Sequence, residues 1–210
     1  SQPDDCDPVF AWLIKNNGVT TGIAWDRIRL AMLAGNYNLT RYLKRFLPPN
    51  QQPWVADWEK VAKIRDWWGG KVILKGILDV EDAKKAAELG VDAIVVSNHG
   101  GRQLDGALSS IRMLRPIVAA VGDKVEVHLD SGIRTGQDIL KAIAMGAKGV
   151  MIGRAYIYGL GAMGEEGVTK ALEVLHKEMD VSMALCGHRD INNVDENILL
   201  VPEDFEGRWA

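Results

Sequence analysis

The chain has 210 residues, of which 47% are hydrophobic and 25% charged, and its formal net charge is −3. These values are typical of one soluble globular domain with a sizeable core and do not indicate a nucleic-acid partner. Cys6 and Cys186 lie far apart without a CxxC or Cys/His cluster. We therefore expect no metal site and a reduced, cytoplasmic chain, although a single disulfide also fits. No apolar run approaches the ~18 to 20 residues that span a bilayer.

Residues 1–57 differ in character from the rest. Prolines interrupt this region, and apolar residues recur with helical spacing between positions 23 and 46, which predicts two short helices separated at Gly35-Asn36. The same segment carries an excess of basic residues over its single acid, Asp26: Arg27, Arg29, Arg41, Lys44 and Arg45. Two interpretations stay open. The segment contacts an anionic membrane surface, or it is the solvated face of packed helices.

A regular pattern begins at Trp58. Asp57 is the predicted N-cap of a helix over 59–68, which ends at Gly69-Gly70. Four short strands follow, at 71–75, 92–97, 125–130 and 149–152. The predicted helices after them cover 80–89 with Asp79 as cap, then Ser109 or Ser110 to 121, 138–145, and 156–185 with a break between Gly159 and Gly167. We expect three regions, namely 1–57, 58–187 and a polar tail over 188–210.

Four successive strand–helix units imply parallel strands joined by right-handed crossovers. Unusual polar residues follow the strands directly, and in parallel α/β folds this edge carries the chemistry. A (β/α)8 barrel and a doubly wound sheet both fit the spacing. The absence of a GxGxxG pattern after the first strand disfavours a dinucleotide-binding sheet.

The stretch from Ser97 to Gly106 follows the uninterrupted apolar run 93–96 and combines unusual groups. His99 supplies a base, Arg102 supplies a fixed cation, and Gly100-Gly101 permits close approach of the backbone. We therefore predict that this loop lies at the reacting end of a buried strand.

Two glycine–arginine pairs follow the last two strands. Gly132 precedes Arg134, and Gly153 precedes Arg154. Free backbone amides beside guanidinium groups are suited to a phosphate monoester, and Asp130 could accept ribityl or ribose hydroxyls. The alternative is that both arginines make structural ion pairs.

Lys75 ends the first strand. Its ammonium faces the mouth of the fold or is buried and paired. A cation at this place could stabilise negative charge on a reduced cofactor ring. The alternative is a lysine whose ammonium extends into solvent.

These motifs together resemble a known family. Lys75-Gly76, the stretch 97–105 with the sequence SNHGGRQLD, the stretch 130–134 with DSGIR, and 152–154 with IGR are similar to the FMN-dependent 2-hydroxy acid dehydrogenase/oxidase family. This family includes L-lactate dehydrogenase, mandelate dehydrogenase and glycolate oxidase. The resemblance covers Trp58 to Leu185. It implies the C-terminal half of a (β/α)8 TIM barrel, the last four βα units, preceded by an insertion over 1–57.

The resemblance also implies FMN as cofactor and oxidation of an L-2-hydroxy acid to the 2-oxo acid. His99 would be the base that removes the hydroxyl or α-proton, Arg102 would bind the substrate carboxylate, and Lys75 would lie beside the flavin N1/O2 edge. Ser97 would line the flavin ring. The ribityl phosphate would be held by Asp130, Gly132, Arg134, Gly153 and Arg154.

A half-barrel exposes two strand edges and an apolar face. We therefore expect an N-terminal half-barrel polypeptide or a second copy to complete it, and a homo-oligomer of the complete barrel. The chain lacks an initiator Met, so we expect a processed or excised piece. In some relatives the insertion contributes to membrane association, which makes 23–46 a candidate contact with the inner face of the membrane. Oxidation of an amine or peptide-derived substrate and an inactive assembly fragment remain as alternatives.

Overall fold

The computed structural model describes residues 13, 15, 16, 18–34, 36–202 and 205. The chain divides into two compact units, with the boundary between Lys71 and Val72. Among the described residues, no helix is both long enough and apolar enough to cross a bilayer.

The first unit is helical. It contains α1 (Thr21–Leu33), α2 (Tyr37–Leu43), a 3₁₀ turn (Lys44–Phe46) and α3 (Gln52–Trp68). The predicted break between the first two helices is confirmed, because the Asn36 side chain caps α2 by accepting a hydrogen bond from the Leu39 amide. Ile28, Leu43 and Val55 are fully buried, one from each helix, so the three helices share a core.

Helix α3 begins earlier than expected. The prediction of Asp57 as its N-cap is wrong, because α3 starts at Gln52 and Asp57 lies inside it. Pro53 is compatible with this start, since the first turn of a helix needs no amide hydrogen at that position. Asp57 pairs instead with Lys60 one turn later, at 3.2 Å. The predicted end is confirmed by Gly69, which adopts the left-handed conformation with φ 64°.

The second unit is a four-stranded parallel sheet in the order β1-β2-β3-β4, with a helix after each strand. The strands are β1 (Ile73–Ile77), β2 (Ala93–Val96), β3 (Glu126–Asp130) and β4 (Gly149–Met151). The helices are α4 (Val80–Glu88), α5 (Ser110–Val121), α6 (Gly136–Ala144) and α7 (Arg154–Leu185). The predicted series of four βα units is confirmed.

Some boundaries differ from the prediction for local reasons. The prediction that Lys75 ends the first strand is wrong, because β1 continues past a register shift at Gly76 and Ile77 pairs with Val96. Helix α6 starts at Gly136, before the predicted Asp138, because Thr135 caps it. The Asp138 carboxylate accepts a hydrogen bond from the Thr135 amide in return, which is a capping box. Helix α7 has non-helical dihedral angles at Gly164, within the predicted break. It starts at Arg154, so only Ile152 and Gly153 separate it from β4.

The core of this unit lies between the sheet and its helices. All of β2 is buried, and Leu114 and Ile117 of α5 are fully buried. The tail after α7 also contributes. Val194 packs in a cluster with Leu140 of α6 and Met183 of α7, so the polar tail fastens two helices.

Both edge strands expose apolar side chains. Ile73 of β1 is 54% exposed, and Met151 of β4 is 39% exposed. Alternation along β1 places Ile73 on the face of Lys75, and Met151 is the register partner of Asp130. The face that carries Lys75 and Asp130 is therefore also the face that leaves apolar surface uncovered.

Candidate functional site

A cleft of about 600 Å³ lies at the carboxyl edge of the sheet. It is lined by every predicted site residue except Ser97, together with Gln103 and Tyr156: Lys75, His99, Arg102, Asp130, Gly132, Arg134, Gly153 and Arg154. The fold brings them together because all four strands are parallel, so the loops after the strands meet at one edge.

Lys75, Ser97 and Asp130 form a hydrogen-bonded group at the base of this cleft. The Lys75 ammonium donates to Asp130 Oδ2 at 2.5 Å and to Ser97 Oγ at 3.1 Å. The Ser97 hydroxyl donates to the same Asp130 oxygen at 2.6 Å. One carboxylate oxygen thus accepts two hydrogen bonds and balances the charge of the lysine.

This group lowers the pKa of the Asp130 carboxyl below its ordinary value of 3.8. Partial burial alone would raise that pKa, because it disfavours the charged form. The hydrogen bonds from Lys75 and Ser97, together with the charge of the ammonium, outweigh the effect of burial. Asp130 is therefore an anion near neutral pH.

Ser97 lies beneath the cleft. It is 1% exposed, and its hydroxyl oxygen also accepts a hydrogen bond from the His99 amide at 3.0 Å. The loop that carries the histidine is thereby fixed to the same group that holds Lys75.

His99 opens a short 3₁₀ turn, His99–Gly101, with a backbone conformation that is unusual for its residue type. Its φ is 54°, in the left-handed region that histidine adopts more often than most residues. Among the described residues, the imidazole has no hydrogen-bond partner, and its ring faces the cleft. A ring nitrogen is therefore available to a proton on a molecule in the cleft.

The sequence pattern did not single out Ser131, which connects two of the loops. Its hydroxyl accepts a hydrogen bond from the Gly100 amide at 3.1 Å, and its carbonyl accepts one from Ser110 Oγ at 3.1 Å. Its φ is 81°, a value that favours glycine. The sequence did offer a signal for this role, because Ser131 stands between Asp130 and Gly132 at a point where the chain must turn.

The arginines give the cleft its positive character. Within the described part of the chain, the guanidinium groups of Arg102 and Arg134 have no hydrogen-bond or ion-pair partner. Arg154 donates to the Gly100 carbonyl at 3.1 Å, which leaves further donors of its fork unused. Neither Arg134 nor Arg154 pairs with a described carboxylate. Both guanidinium groups can therefore contact an anion, as the sequence predicts.

The donor set fits FMN. Arg134 and Arg154 would hold a phosphate beside Gly132 and Gly153, where even an added Cβ would meet nothing within 4 Å, so the backbone is open to close approach. Arg154 also begins α7, whose N-terminus attracts an anion. The pair of Lys75 and Asp130 lines the same cleft and offers both a donor and an acceptor.

The chain has the parallel α/β fold of half a barrel, with an arginine-lined cleft at the carboxyl edge of its sheet. This combination is typical of barrel enzymes that bind phosphorylated cofactors or substrates at this edge. The chain belongs to the FMN-dependent dehydrogenase family, whose model matches residues 26–201.

Known relatives agree with this membership. The chain is 53% identical over 192 residues to an L-lactate dehydrogenase of Caulobacter vibrioides. The aligned region covers 91% of this chain and 49% of that protein. The chain is 49% identical over 156 residues to a pre-mycofactocin synthase of Mycobacterium tuberculosis, covering 72% of this chain and 39% of that one. Thus the chain spans about half the length of the curated relatives it matches.

Solved structures confirm the fold. A mandelate oxidase with benzoyl-formic acid superposes with a TM-score of 0.63 at 49% sequence identity, covering 65% of this chain and 41% of the oxidase chain. The prediction of the family, and of a fold equivalent to part of a TIM barrel, is therefore confirmed.

Proposed function

We propose that this chain supplies the substrate-facing half of an FMN-dependent enzyme that oxidises an L-2-hydroxy acid, lactate- or mandelate-like, to the 2-oxo acid. One observation carries the proposal. In a chain of the FMN-dependent dehydrogenase family, one cleft contains His99, Arg102, Arg134 and the Lys75–Asp130 pair. Among the described residues, the imidazole of His99 and the guanidinium groups of both arginines have no partner.

The cofactor would be held at two ends. Gly132, Arg134, Gly153 and Arg154 would bind its phosphate, and Lys75 would contact the N1/O2 edge of the ring. Asp130 and Ser97 fix the Lys75 ammonium and lie where ribityl hydroxyls would pass. When bound, FMN accepts the two electrons released by the substrate.

The substrate would lie on the side of the cleft lined by His99 and Arg102. The Arg102 guanidinium would pair with the carboxylate of the acid and so orient its C2. The imidazole of His99 would then take a proton from the hydroxyl or from C2, since no described group competes for its ring nitrogens. Both proton positions remain open in the proposal.

The test is an anaerobic titration of the assembled, flavin-loaded protein with L-2-hydroxy acids. The visible flavin band bleaches if the proposal is correct. A His99→Gln variant retains FMN and loses turnover, while undiminished turnover contradicts the role of His99. Absence of flavin, or a band that no L-2-hydroxy acid bleaches, contradicts the proposed reaction.

We further propose that an N-terminal half-barrel polypeptide, or a second copy of this chain, completes the site, and that the complete barrel forms a homo-oligomer. The exposed Ile73 and Met151 on the Lys75 face support this, because a second half-barrel would cover them. Native mass spectrometry of the flavin-loaded material is the test. A stable, flavin-loaded monomer of this chain alone would contradict both forms of the proposal.

A peripheral contact with the inner face of the membrane, through residues 23–46 of a cytoplasmic protein, is a separate proposal. Two of the basic residues already have partners. Arg41 pairs with Glu59 at 2.9 Å, and Arg45 stacks on the ring of Tyr42. Arg29 and Lys44 would supply the attraction, so binding to anionic liposomes should fall as the salt concentration rises. Equal pelleting with neutral liposomes contradicts it.

A second candidate keeps the cofactor and changes the substrate to an amine or a peptide-derived molecule. The 49% identity to a pre-mycofactocin synthase favours testing it. The Arg102 guanidinium, which has no partner in the described part of the chain, is better suited to a carboxylate. Bleaching by a peptide-derived amine and not by hydroxy acids would establish this candidate.

The other alternative is an inactive assembly fragment, which predicts that the assembled protein loses its yellow colour on desalting.

A further inference from the structure

We propose that Gly76 is a positioning residue that gives the His99 imidazole its place in the cleft, an inference that rests on the proposed role of His99 as the base. Gly76 belongs to β1 and follows Lys75 directly. It bears no chemical group of its own, and the proposed function assigns it no role.

The backbone at Gly76 departs from a regular strand. Its φ is +102°, which L-amino acids with a side chain rarely adopt. The register between β1 and β2 shifts between Lys75 and Ile77, so Gly76 is the extra residue of a bulge. Bulges of this kind commonly redirect a neighbouring side chain at an active site.

The His99 ring occupies the space that a side chain at position 76 would need. An ideal Cβ built on Gly76 lies 2.5 Å from His99 Nε2 and 3.1 Å from Cε1. The first distance is about 1 Å short of ordinary van der Waals contact, which begins at 3.4 Å. A methyl group at position 76 would therefore displace the imidazole.

A side chain at position 76 would move the imidazole ring and leave the backbone of the loop in place. The His99 amide is tied to Ser97 Oγ at 3.0 Å, and the next amide, of Gly100, is tied to Ser131 Oγ at 3.1 Å. The ring is the free end of the side chain, and among the described residues it makes no hydrogen bond that would hold it. The bare Cα of Gly76 is thus the surface against which the ring rests.

This contact places the base and the cation side by side in the same cleft. Lys75 projects into the cleft from β1, and the next residue leaves room for the imidazole that comes from the loop after β2. A displacement of about 1 Å of a catalytic group can lower the rate about 100-fold.

The first experiment compares Gly76→Ala with Gly187→Ala in the assembled, FMN-loaded enzyme. Gly187 follows α7 and does not line the cleft. It is the matched control because its φ is +79° and an added Cβ would meet nothing within 4 Å, so it reproduces the backbone strain without touching the histidine. We expect Gly76→Ala to lower kcat about 100-fold, with FMN affinity and KM close to those of the parent, and Gly187→Ala to leave kcat near the parent value. Equal losses in both variants, or an unchanged kcat in Gly76→Ala, would overturn the proposal.

The second experiment is a double-mutant cycle of thermal unfolding with His99→Ala, which requires no turnover. If Gly76→Ala acts through the imidazole, it lowers Tm less in the His99→Ala background than in the parent. Folding of Gly76→Ala only in that background also supports the contact. Equal losses of Tm, or failure to fold in both backgrounds, overturn it. A coupling found in a protein that oxidises no hydroxy acid supports the placement by Gly76 and counts against the proposed function alone.

Discussion

The ammonium of Lys75 lies 2.5 Å from the carboxylate of Asp130, although the two residues belong to strands that are separated by β2. Ser97, at the end of the intervening strand, contacts both of them. Three successive strands are therefore joined by one charge-balanced group of hydrogen-bonded side chains.

The first prediction concerns pH. Because the pKa of Asp130 is lowered in the folded protein, its ionised form stabilises the fold above the ordinary value of 3.8. This contribution is lost as the pH falls through the folded-state pKa. The difference in unfolding free energy between the parent and Asp130→Asn should therefore be largest near neutral pH and shrink below 3.8. Urea unfolding over this range measures it.

Asp82 provides a control of opposite sign. Burial raises the pKa of Asp82, so its ionisation costs stability. The parent should gain stability relative to Asp82→Asn as the pH falls. For each variant, the difference in unfolding free energy from the parent is plotted against pH. If the plots for Asp130→Asn and Asp82→Asn had the same slope, the Asp130 effect could not be assigned to its pairing with Lys75.

The second prediction concerns Lys75→Met. Without the ammonium, negative charge on the reduced cofactor is less stabilised, so the reduction potential of bound FMN should fall by about 30 mV, which corresponds to about 1.4 kcal/mol for two electrons. Spectroelectrochemistry on the assembled protein measures the shift. Lys75→Arg keeps the charge and should lie closer to the parent. An unchanged potential in a flavin-loaded Lys75→Met protein would refute the proposed contact.

The third prediction concerns Arg102→Met. A charged hydrogen-bond pair contributes about 1.5 to 3 kcal/mol, so KM for the hydroxy acid should rise about 10- to 100-fold. The corresponding 2-hydroxy amide has no carboxylate and should lose little on the same substitution. Steady-state kinetics with both compounds measure the difference. A similar loss for acid and amide would show that Arg102 does not act through the carboxylate.

The fourth prediction separates strain from hydrogen bonding at Ser131. Ser131→Gly and Ser131→Ala both remove the hydroxyl that accepts from the Gly100 amide. Only glycine relieves the positive φ of 81°, so Ser131→Gly should be about 1 kcal/mol more stable than Ser131→Ala. Denaturant unfolding tests the order. In both variants we expect faster hydrogen exchange at the Gly100 amide, and unchanged exchange would contradict the contribution of this bond.

Much of the fold could be predicted because its signals are local. An apolar run such as 93–96, and caps such as Asp79 with its two bonded amides, locate strands and helices without knowledge of their neighbours. Asp57 misled the prediction because a good capping residue inside a helix looks the same in sequence as one at its start. The packing of Val194 against α6 and α7 could not be predicted, because a polar tail carries no periodicity.

The same difference between local signals and long-range contacts applies to the candidate site. The position of His99, Arg102 and Arg154 at this edge of the sheet could be predicted, because they follow strands in the sequence. The direct contact between Lys75 and Asp130, and the space at Gly76 that the imidazole fills, depend on atoms that are distant along the chain. Such contacts are set by sheet register and by a bulge, and neither is written in the local pattern.

The break in α7 has a consequence for engineering of the proposed anion site. Its two segments are joined at Gly164, and they meet where the backbones of Gly159 and Gly167 touch, so that a Cβ on either would collide with the carbonyl of the other. A side chain at Gly159 or Gly167 would therefore push apart the two segments and tilt the one that begins with Arg154. Such a substitution would alter the proposed phosphate site without changing any residue proposed to touch the ligand.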